Sequence, residues 1–238
     1  MNEPRQYTLS LPFEESMGLA DFFVSDSNKD ACAWVLDRAP ASWPGHALVL
    51  WGEAGAGKTH LLSIWAERLN AARVTLGDTN VLETLTSGAA TAQAFALDDA
   101  DQAVGVRAHE EWLQHFFNAT KAANAPLLLT AQKPPAQWGL GLRDIETRLK
   151  SCPVARINAP DDALREGLLI KMFADRQLHV ESGVVTYLAA RLERTGTALR
   201  AAVDALDKAA LEKGRKISVP FAQKVLALGL QPSVSGEE

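Results

Sequence analysis

Between residues 47 and 157 the chain alternates short, continuous apolar runs with longer stretches whose apolar positions recur every three or four residues. Short runs bounded by turn residues predict strands buried on both faces, and the longer spacing predicts helices. Strands are expected at 47–51, 72–76, 94–97, 126–130 and 154–157. A first helix is expected around Ala31, Trp34, Val35 and Leu36, ended by Pro40 and the Trp43-Pro44-Gly45 turn. A second begins near Gly57, buries Leu61, Leu62, Trp65 and Leu69, and ends at Asn70. Others follow at 81–85, at 106–124 with Trp112, Leu113, Phe116 and Phe117 as the buried stripe, and at 143–150. After Pro160 the pattern is helical only, at 161–177, 184–192, 197–213 and 219–228. Strands alternating with helices define an α/β class, a parallel sheet core flanked by helices, here followed by a small C-terminal all-helical lid. The expected organisation is an arm at 1–18, the α/β core at 19–158, the lid at 159–230 and a tail at 231–238.

Candidate chemistry concentrates where the first strand meets its helix. Gly52-Glu53-Ala54-Gly55-Ala56-Gly57-Lys58-Thr59 fits G-x-x-x-x-G-K-[ST] at every fixed position, in the strand-to-helix context that gives the motif its meaning. Glycines let backbone N–H groups close around phosphate oxygens, and the helix beginning near Gly57 aims its positive dipole end at them. Lys58 adds a cation for the β- and γ-phosphates, and the Thr59 hydroxyl is a ligand for Mg²⁺. The 94–97 strand runs into Asp98-Asp99-Ala100-Asp101, so Asp98 is the candidate to hold Mg²⁺ through its water shell and Asp99 to orient an attacking water. The strand at 126–130 ends in Thr130, with Gln132 and Lys133 beyond. In a parallel sheet a polar group there sits at the carboxyl edge, beside the γ-phosphate. Phe22 and Phe23, just upstream, either face an adenine ring or belong to the core.

Composition changes this picture little. With 238 residues, 47% hydrophobic and 22% charged, the chain has room for one large domain or a core plus a small one. Cys32 and Cys152 show no metal-ligand spacing and read as small apolar residues. His109 and His115 do not form H-E-x-x-H and read as surface residues. No apolar run reaches the length that spans a bilayer, and no basic segment with an apolar signal core opens the chain, so a cytoplasmic address and no membrane partner are expected. The net charge of -5 argues against broad nonspecific nucleic-acid binding but leaves room for a local basic patch. The arm is polar and proline-punctuated, yet Gln6, Leu9 and Leu11 space a glutamine ahead of apolar anchors. That pattern suits an extended peptide docking into a partner's pocket, or a first strand or strap over the core.

The order of the phosphate loop, Leu97-Asp98-Asp99, Leu128-Leu129-Thr130, Thr147-Arg148-Leu149 and a helical lid resembles the AAA+ module of the bacterial initiator DnaA, from about residue 19 to 228. The initiator also carries a DNA-reading helix-turn-helix after its lid, whereas here only residues 231–238 follow. With the Gln6-x-x-Leu9-x-Leu11 arm, Leu19-Ala20-Asp21-Phe22-Phe23-Val24, Ser27-Asn28 and Leu140-Gly141-Leu142 before Arg148, the chain resembles the Hda family, DnaA homologues that bind the sliding clamp and switch the initiator off. The resemblance implies that Gly52 to Thr59 with His60, Phe23, Val24, Thr130 and Arg200 bind ADP or ATP, and that Thr59 and Asp98 hold Mg²⁺. It makes Asp98 and Asp99 the Walker B pair, Thr130 sensor 1 and Arg148 the arginine finger. Without it, Arg148 reads as a cation favoured by a helix C-terminus.

Two positions depart from the family pattern. Tyr7 and Ser10 replace an apolar residue and a proline in the clamp-binding segment. Thr197 stands where the sensor 2 arginine belongs, which leaves Arg200, one turn later, Arg194, just before Thr195-Gly196, or neither to reach the nucleotide. The expected function is a nucleotide-bound AAA+ regulator that docks through Gln6, Leu9 and Leu11 on the DNA-loaded clamp, touches DNA only through it, forms homo-oligomers if any, and stimulates ATP hydrolysis by DnaA in trans. The alternatives are an autonomous ATPase or helicase loader, and a clamp-binding adaptor with no activating role.

Overall fold

The structure, a computed structural model, describes residues 22–90 and 92–229. The arm with Gln6, Leu9 and Leu11 and the 231–238 tail lie outside the described residues.

Among the described residues five strands form one parallel sheet: β1 (Ala47–Trp51), β2 (Ala72–Val74), β3 (Phe95–Leu97), β4 (Leu127–Ala131) and β5 (Val154–Arg156), in the order β2-β3-β4-β1-β5. The expected strands are all present. β2 is two residues shorter than its apolar run because the Thr75 carbonyl accepts the Asp78 N–H (3.1 Å) and Gly77 adopts φ +88°, a turn that takes Leu76 out of the ladder. Central β1 pairs with β4 from Ala47↔Leu127 to Trp51↔Ala131 and with β5 from Val49↔Val154 to Trp51↔Arg156.

Side-chain alternation along these strands divides the interior into two layers. Ala47, Val49, Phe95, Leu97, Leu127 and Leu129 meet Trp112, Leu113 and Phe116 of helix α4 (Arg107–Ala122) on one face. Leu48, Leu50, Ala96, Leu128 and Ala155 meet Leu61, Leu62 and Trp65 of helix α2 (Lys58–Leu69) on the other. Trp43, delivered by the turn before β1, stacks on Trp65 with ring centroids 5.7 Å apart. The first helical segment, α1 (Lys29–Cys32) continued by a π turn over Ala33–Asp37, packs into this second layer through Ala31, Val35 and Leu36. Cys32 is buried there, and burial pushes its thiol up to about 11. Cys152 is likewise unpaired, consistent with both cysteines serving as small apolar residues. Helix α3 (Thr79–Thr86) starts earlier than its apolar pattern because the Asp78 carboxylate accepts the Asn80 N–H (3.0 Å).

Helix α5 (Arg143–Ser151) precedes β5, and the chain then enters four helices: α6 (Asp162–Asp175), α7 (Ser182–Arg191), α8 (Gly196–Lys213) and α9 (Val219–Gly229). They enclose a separate core built on Leu169, Phe173, Leu188, Leu199, Val203 and Leu206. Asp161 caps α6 by accepting the Leu164 N–H (2.8 Å), the main reason its carboxyl lies below its ordinary pKa, and it also accepts the Ser27 N–H (3.3 Å). The Asn158 N–H donates to the Ser27 carbonyl (3.0 Å), so the Ser25–Asn28 turn is tied to both ends of the core-to-lid connection.

One buried charge fixes α5. Glu110 on α4 is only 3% exposed and accepts hydrogen bonds from the Gly105 N–H (3.2 Å), the Gly141 N–H (2.9 Å) and the Leu142 N–H (3.2 Å). The N-cap residue Leu142 offers no side-chain acceptor, so Glu110 does the capping from a neighbouring helix. Glu110→Ala leaves three N–H groups without their acceptor and is expected to lower stability in urea by about 3 kcal/mol, with faster amide exchange at residues 141–146. A variant as stable as the parent would mean that water replaces the carboxylate at no cost.

Candidate functional site

The phosphate-loop motif lies at the carboxyl edge of β1, and its glycines are required by contacts on both sides. A Cβ on Gly52 would lie 2.2 Å from the Ile157 carbonyl oxygen. A Cβ on Gly55, at φ +75°, would lie 2.6 Å from Thr195 Cβ of the lid, and the Gly196 N–H donates to the Gly55 carbonyl (3.3 Å). Gly57 caps α2 at φ +101° with no side-chain acceptor for the first turn. That leaves the leading N–H groups of a twelve-residue helix facing the loop, an arrangement suited to an anion.

Lys58 is 6% exposed and donates to the Glu53 carbonyl (3.0 Å), so its ammonium folds over the loop. Thr59 donates its hydroxyl hydrogen to Asp98 Oδ2 (2.8 Å). Asp98 Oδ1 accepts from the Thr130 hydroxyl, whose oxygen in turn accepts the Asp99 N–H (2.8 Å). Asp98 is therefore oriented by threonines from two elements, with Asp99 held beside it in a left-handed conformation (φ 49°). Burial, and then the neighbouring Asp98 charge, raise the Asp99 carboxyl above its ordinary pKa, while Lys58 opposes the shift.

Between core and lid lies a cleft of about 440 Å³. Its floor is the loop from Gly55 to Thr59, with His60 beside it, edge-on to Phe22 at 5.2 Å between centroids. One wall is Phe22, Phe23 and Asn28. Asn28, 4% exposed, fixes that wall by donating to the Phe23 carbonyl (2.8 Å) and accepting the Ser25 N–H (2.8 Å). The opposite wall is Pro160 with Leu164, Leu168 and Met172, one i, i+4 row of α6, closed by Thr197 and Arg200 at the start of α8. Polar donors thus sit at one end and apolar walls at the other. That fits a phosphate chain joined to a flat ring, with the Thr59 hydroxyl and Asp98 within reach of one divalent cation.

Some of the other expected residues line the cleft and others do not. Val24 is 62% exposed and is not part of the cleft lining, to which Phe22 and Phe23 contribute instead. Thr130 is fully buried and is joined to the cleft lining through Asp98, which bonds both Thr130 and Thr59. Glu53 and Ala54 lie on the other side of the loop, in a concavity shared with Gln132, Lys133 and Arg156. Of the two lid arginines that were candidates to reach the nucleotide, Arg200 lines the cleft, whereas Arg194 pairs with Asp162 (3.4 Å). Arg148 is outside the cleft lining, on α5, its Nε donating to Asp144 Oδ2 (2.9 Å). The cleft-lining residues to which the sequence reading assigned no nucleotide-binding role are Asn28, Pro160, Thr197 and the Leu164-Leu168-Met172 row. The four-residue spacing of that row was a usable signal, but it is also the spacing of an ordinary lid core.

This architecture, with its phosphate loop, adjacent aspartates and helical lid, is that of a P-loop AAA+ module. Residues 162–226 match the family model described as "Hda, lid domain". An uncharacterized protein of Haemophilus influenzae is 31% identical over 193 residues, covering 75% of this chain and 80% of that one. Domain III of the replication initiation protein DnaA from Thermotoga maritima superposes with a TM-score of 0.77 at 18% identity, covering 93% of this chain and 100% of that domain. AMPPCP-bound DnaA from Aquifex aeolicus gives 0.66 at 18% identity over 83% of this chain and 66% of that one. The chain belongs to the Hda family of DnaA-like AAA+ proteins.

The raised Asp99 carboxyl makes stability depend on pH. A folded-state pKa above the unfolded one means the fold favours protonated Asp99, so stability falls as pH rises from the unfolded value through the folded one. Asp99→Asn removes that loss and also suits a left-handed residue. The melting temperature of the nucleotide-free variant should exceed the parent's by more at pH 7 than at pH 4. An equal difference at both pH values would show that Asp99 titrates normally.

Proposed function

We propose that this protein is a negative regulator of chromosome replication initiation, acting on the nucleotide of the initiator DnaA more than on its own. The Gly52 to Thr59 loop holds the phosphates of ADP or ATP, with Lys58 over the β- and γ-phosphates and Thr59 and Asp98 holding Mg²⁺. Phe22, Phe23, Pro160 and the Leu164-Leu168-Met172 row receive the base, and Arg200 takes the place of the family's sensor 2 arginine. Gln6, Leu9 and Leu11 dock the chain on the DNA-loaded sliding clamp. Arg148 is offered to the nucleotide of DnaA, where a guanidinium neutralises transition-state charge.

The observation that supports this most is the separation of Arg148 from the cleft: it belongs to neither the loop nor the lid wall, and its side chain is 37% exposed on α5. A finger used on the chain's own nucleotide belongs in the cleft, and one used in trans belongs on the surface. Family membership supplies the direction, because the resemblance to the Hda family makes Arg148 its arginine finger.

The deciding measurement is ATP hydrolysis by DnaA with and without this protein and clamp-loaded DNA. Arg148→Ala should leave folding, nucleotide affinity and clamp binding unchanged and abolish the stimulation, a loss on the order of 10³-fold. Lysine should rescue poorly, because it lacks the planar fork that grips two phosphate oxygens. Full activity of Arg148→Ala would instead indicate an adaptor, and DNA-stimulated turnover without DnaA an autonomous motor. Lys58→Ala should keep the fold and weaken ADP binding in calorimetry by about 10- to 100-fold, the worth of one charged hydrogen-bonding group; unchanged affinity would remove the phosphate assignment. Replacing Gln6, Leu9 and Leu11 together by alanine should abolish clamp binding at unchanged thermal stability. If that variant unfolds, the arm is a strap over the core.

A further inference from the structure

At the far end of the lid from the phosphate loop, α8 closes and α9 begins around Lys213, Arg215, Lys216 and Lys224, all exposed. No Asp or Glu occurs from residue 213 to residue 229, although the whole chain carries a net charge of -5. Lys213, Arg215 and Lys224 line a shallow concavity of about 360 Å³ with Phe221, and Lys213 Nζ lies 5.9 Å from the centre of that ring. Among the described residues none of these four cations forms an ion pair, whereas Lys171 and Arg176 elsewhere in the lid are paired with Asp175 and Asp204.

Helix capping does not account for them. Gly214, at φ +56°, lets the backbone close α8, its N–H donating to the Leu211 carbonyl (3.4 Å) and the Arg215 N–H to the Ala210 carbonyl (3.2 Å). The turn is also rigid, because Ile217 is buried in the lid core and the Ser218 carbonyl accepts the Ala222 N–H (2.8 Å). Like charges held close together on a fixed scaffold repel one another, a cost that an anionic partner relieves. The partner must present several negative charges at short spacing to meet all four cations.

We propose that this end of the lid is a binding surface for the phosphate backbone of nucleic acid. A duplex offers a phosphate charge about every 1.7 Å along its axis, and cations that meet it release condensed counterions. This contact is direct and independent of the DNA reached through a clamp, so it stands or falls apart from the function proposed above.

The test is fluorescence anisotropy of the full chain with a labelled 30-base-pair duplex between 50 and 200 mM KCl. Four phosphate contacts predict a slope of log K against log salt of about -3 to -4. The triple variant Lys213→Glu, Arg215→Glu, Lys224→Glu should bind at least about tenfold more weakly at 50 mM, with a slope smaller in magnitude by about 3. Its melting temperature should stay near the parent's because all three side chains are exposed; should it fail to fold, the neutral Gln triple is measured instead. No binding at 50 mM KCl, or an unchanged slope in the variant, would overturn the proposal. So would displacement of the duplex by polyglutamate at equal charge concentration, which would mark an acidic protein surface as the partner, or binding to phosphatidylserine vesicles in preference to DNA.

Discussion

Everything in this structure that bears on the site depends on how closely backbone approaches the phosphate loop from two directions. At Gly52 the Ile157 carbonyl leaves no room for even one methyl group, which fixes the loop to the end of the strand beside β1. At Gly55 the start of α8 arrives, with Thr195 against the Cα and the Gly196 N–H on the carbonyl. The loop is therefore held between the sheet and the lid. Steric contacts of this kind are steep, so a small displacement of α8 is felt at the loop, and any group that fills the loop is felt by α8. The cleft exists because the lid touches the core here and at the Ser27–Asp161 joint, leaving the space between them lined by α6 on one side and by Phe22 and Phe23 on the other.

A second dependence runs through Asp98. Its two oxygens are taken by Thr59 and Thr130, hydroxyls that reach it from α2 and β4, while Thr130 also receives the Asp99 N–H. A carboxylate satisfied in this way stays in one rotamer without a cation present. For Asp99, burial and then the Asp98 charge outweigh the opposing Lys58 charge and raise the pKa. The two neighbours thus differ in character. Asp98 is held in place by its two threonine partners, and the carboxyl of Asp99 is the one raised by its surroundings.

The helices and strands were legible because period-2 and period-3.6 burial both operate here with little interference, and the motif context placed the loop correctly. What was not legible depends on three-dimensional partners. Glu110, inside His109-Glu110-Glu111, is indistinguishable in sequence from a solvated charge, and only the approach of Gly105, Gly141 and Leu142 makes it a buried cap. Thr130 has the composition of a cleft residue but is fully buried, because Asp98 takes its hydroxyl hydrogen. The apolar face of α6 contains two rows, and sequence spacing does not say that Leu169 and Phe173 fill the lid core while Leu164, Leu168 and Met172 also border the cleft. The choice between Arg194 and Arg200 had the same origin: the ion pair with Asp162 holds Arg194 away, and Arg200 faces inward from the next turn.

Arg148 combines a firmly placed backbone with a weakly held side chain. Glu110 caps the start of α5, and one turn along α4 Gln114 donates to Asp144 Oδ2 (3.1 Å), the same oxygen that accepts Arg148 Nε. The helix is thereby fixed relative to the loop that follows Asp98 and Asp99. The ion pair itself is about half exposed, 37% and 49%, and exposed pairs of this kind contribute roughly 0–1 kcal/mol. Giving it up to meet a phosphate therefore costs little, whereas moving α5 would cost the buried Glu110 network. A guanidinium used on another molecule needs both properties at once: a base that does not shift when the partner arrives, and a local bond weak enough to exchange for the stronger bidentate one.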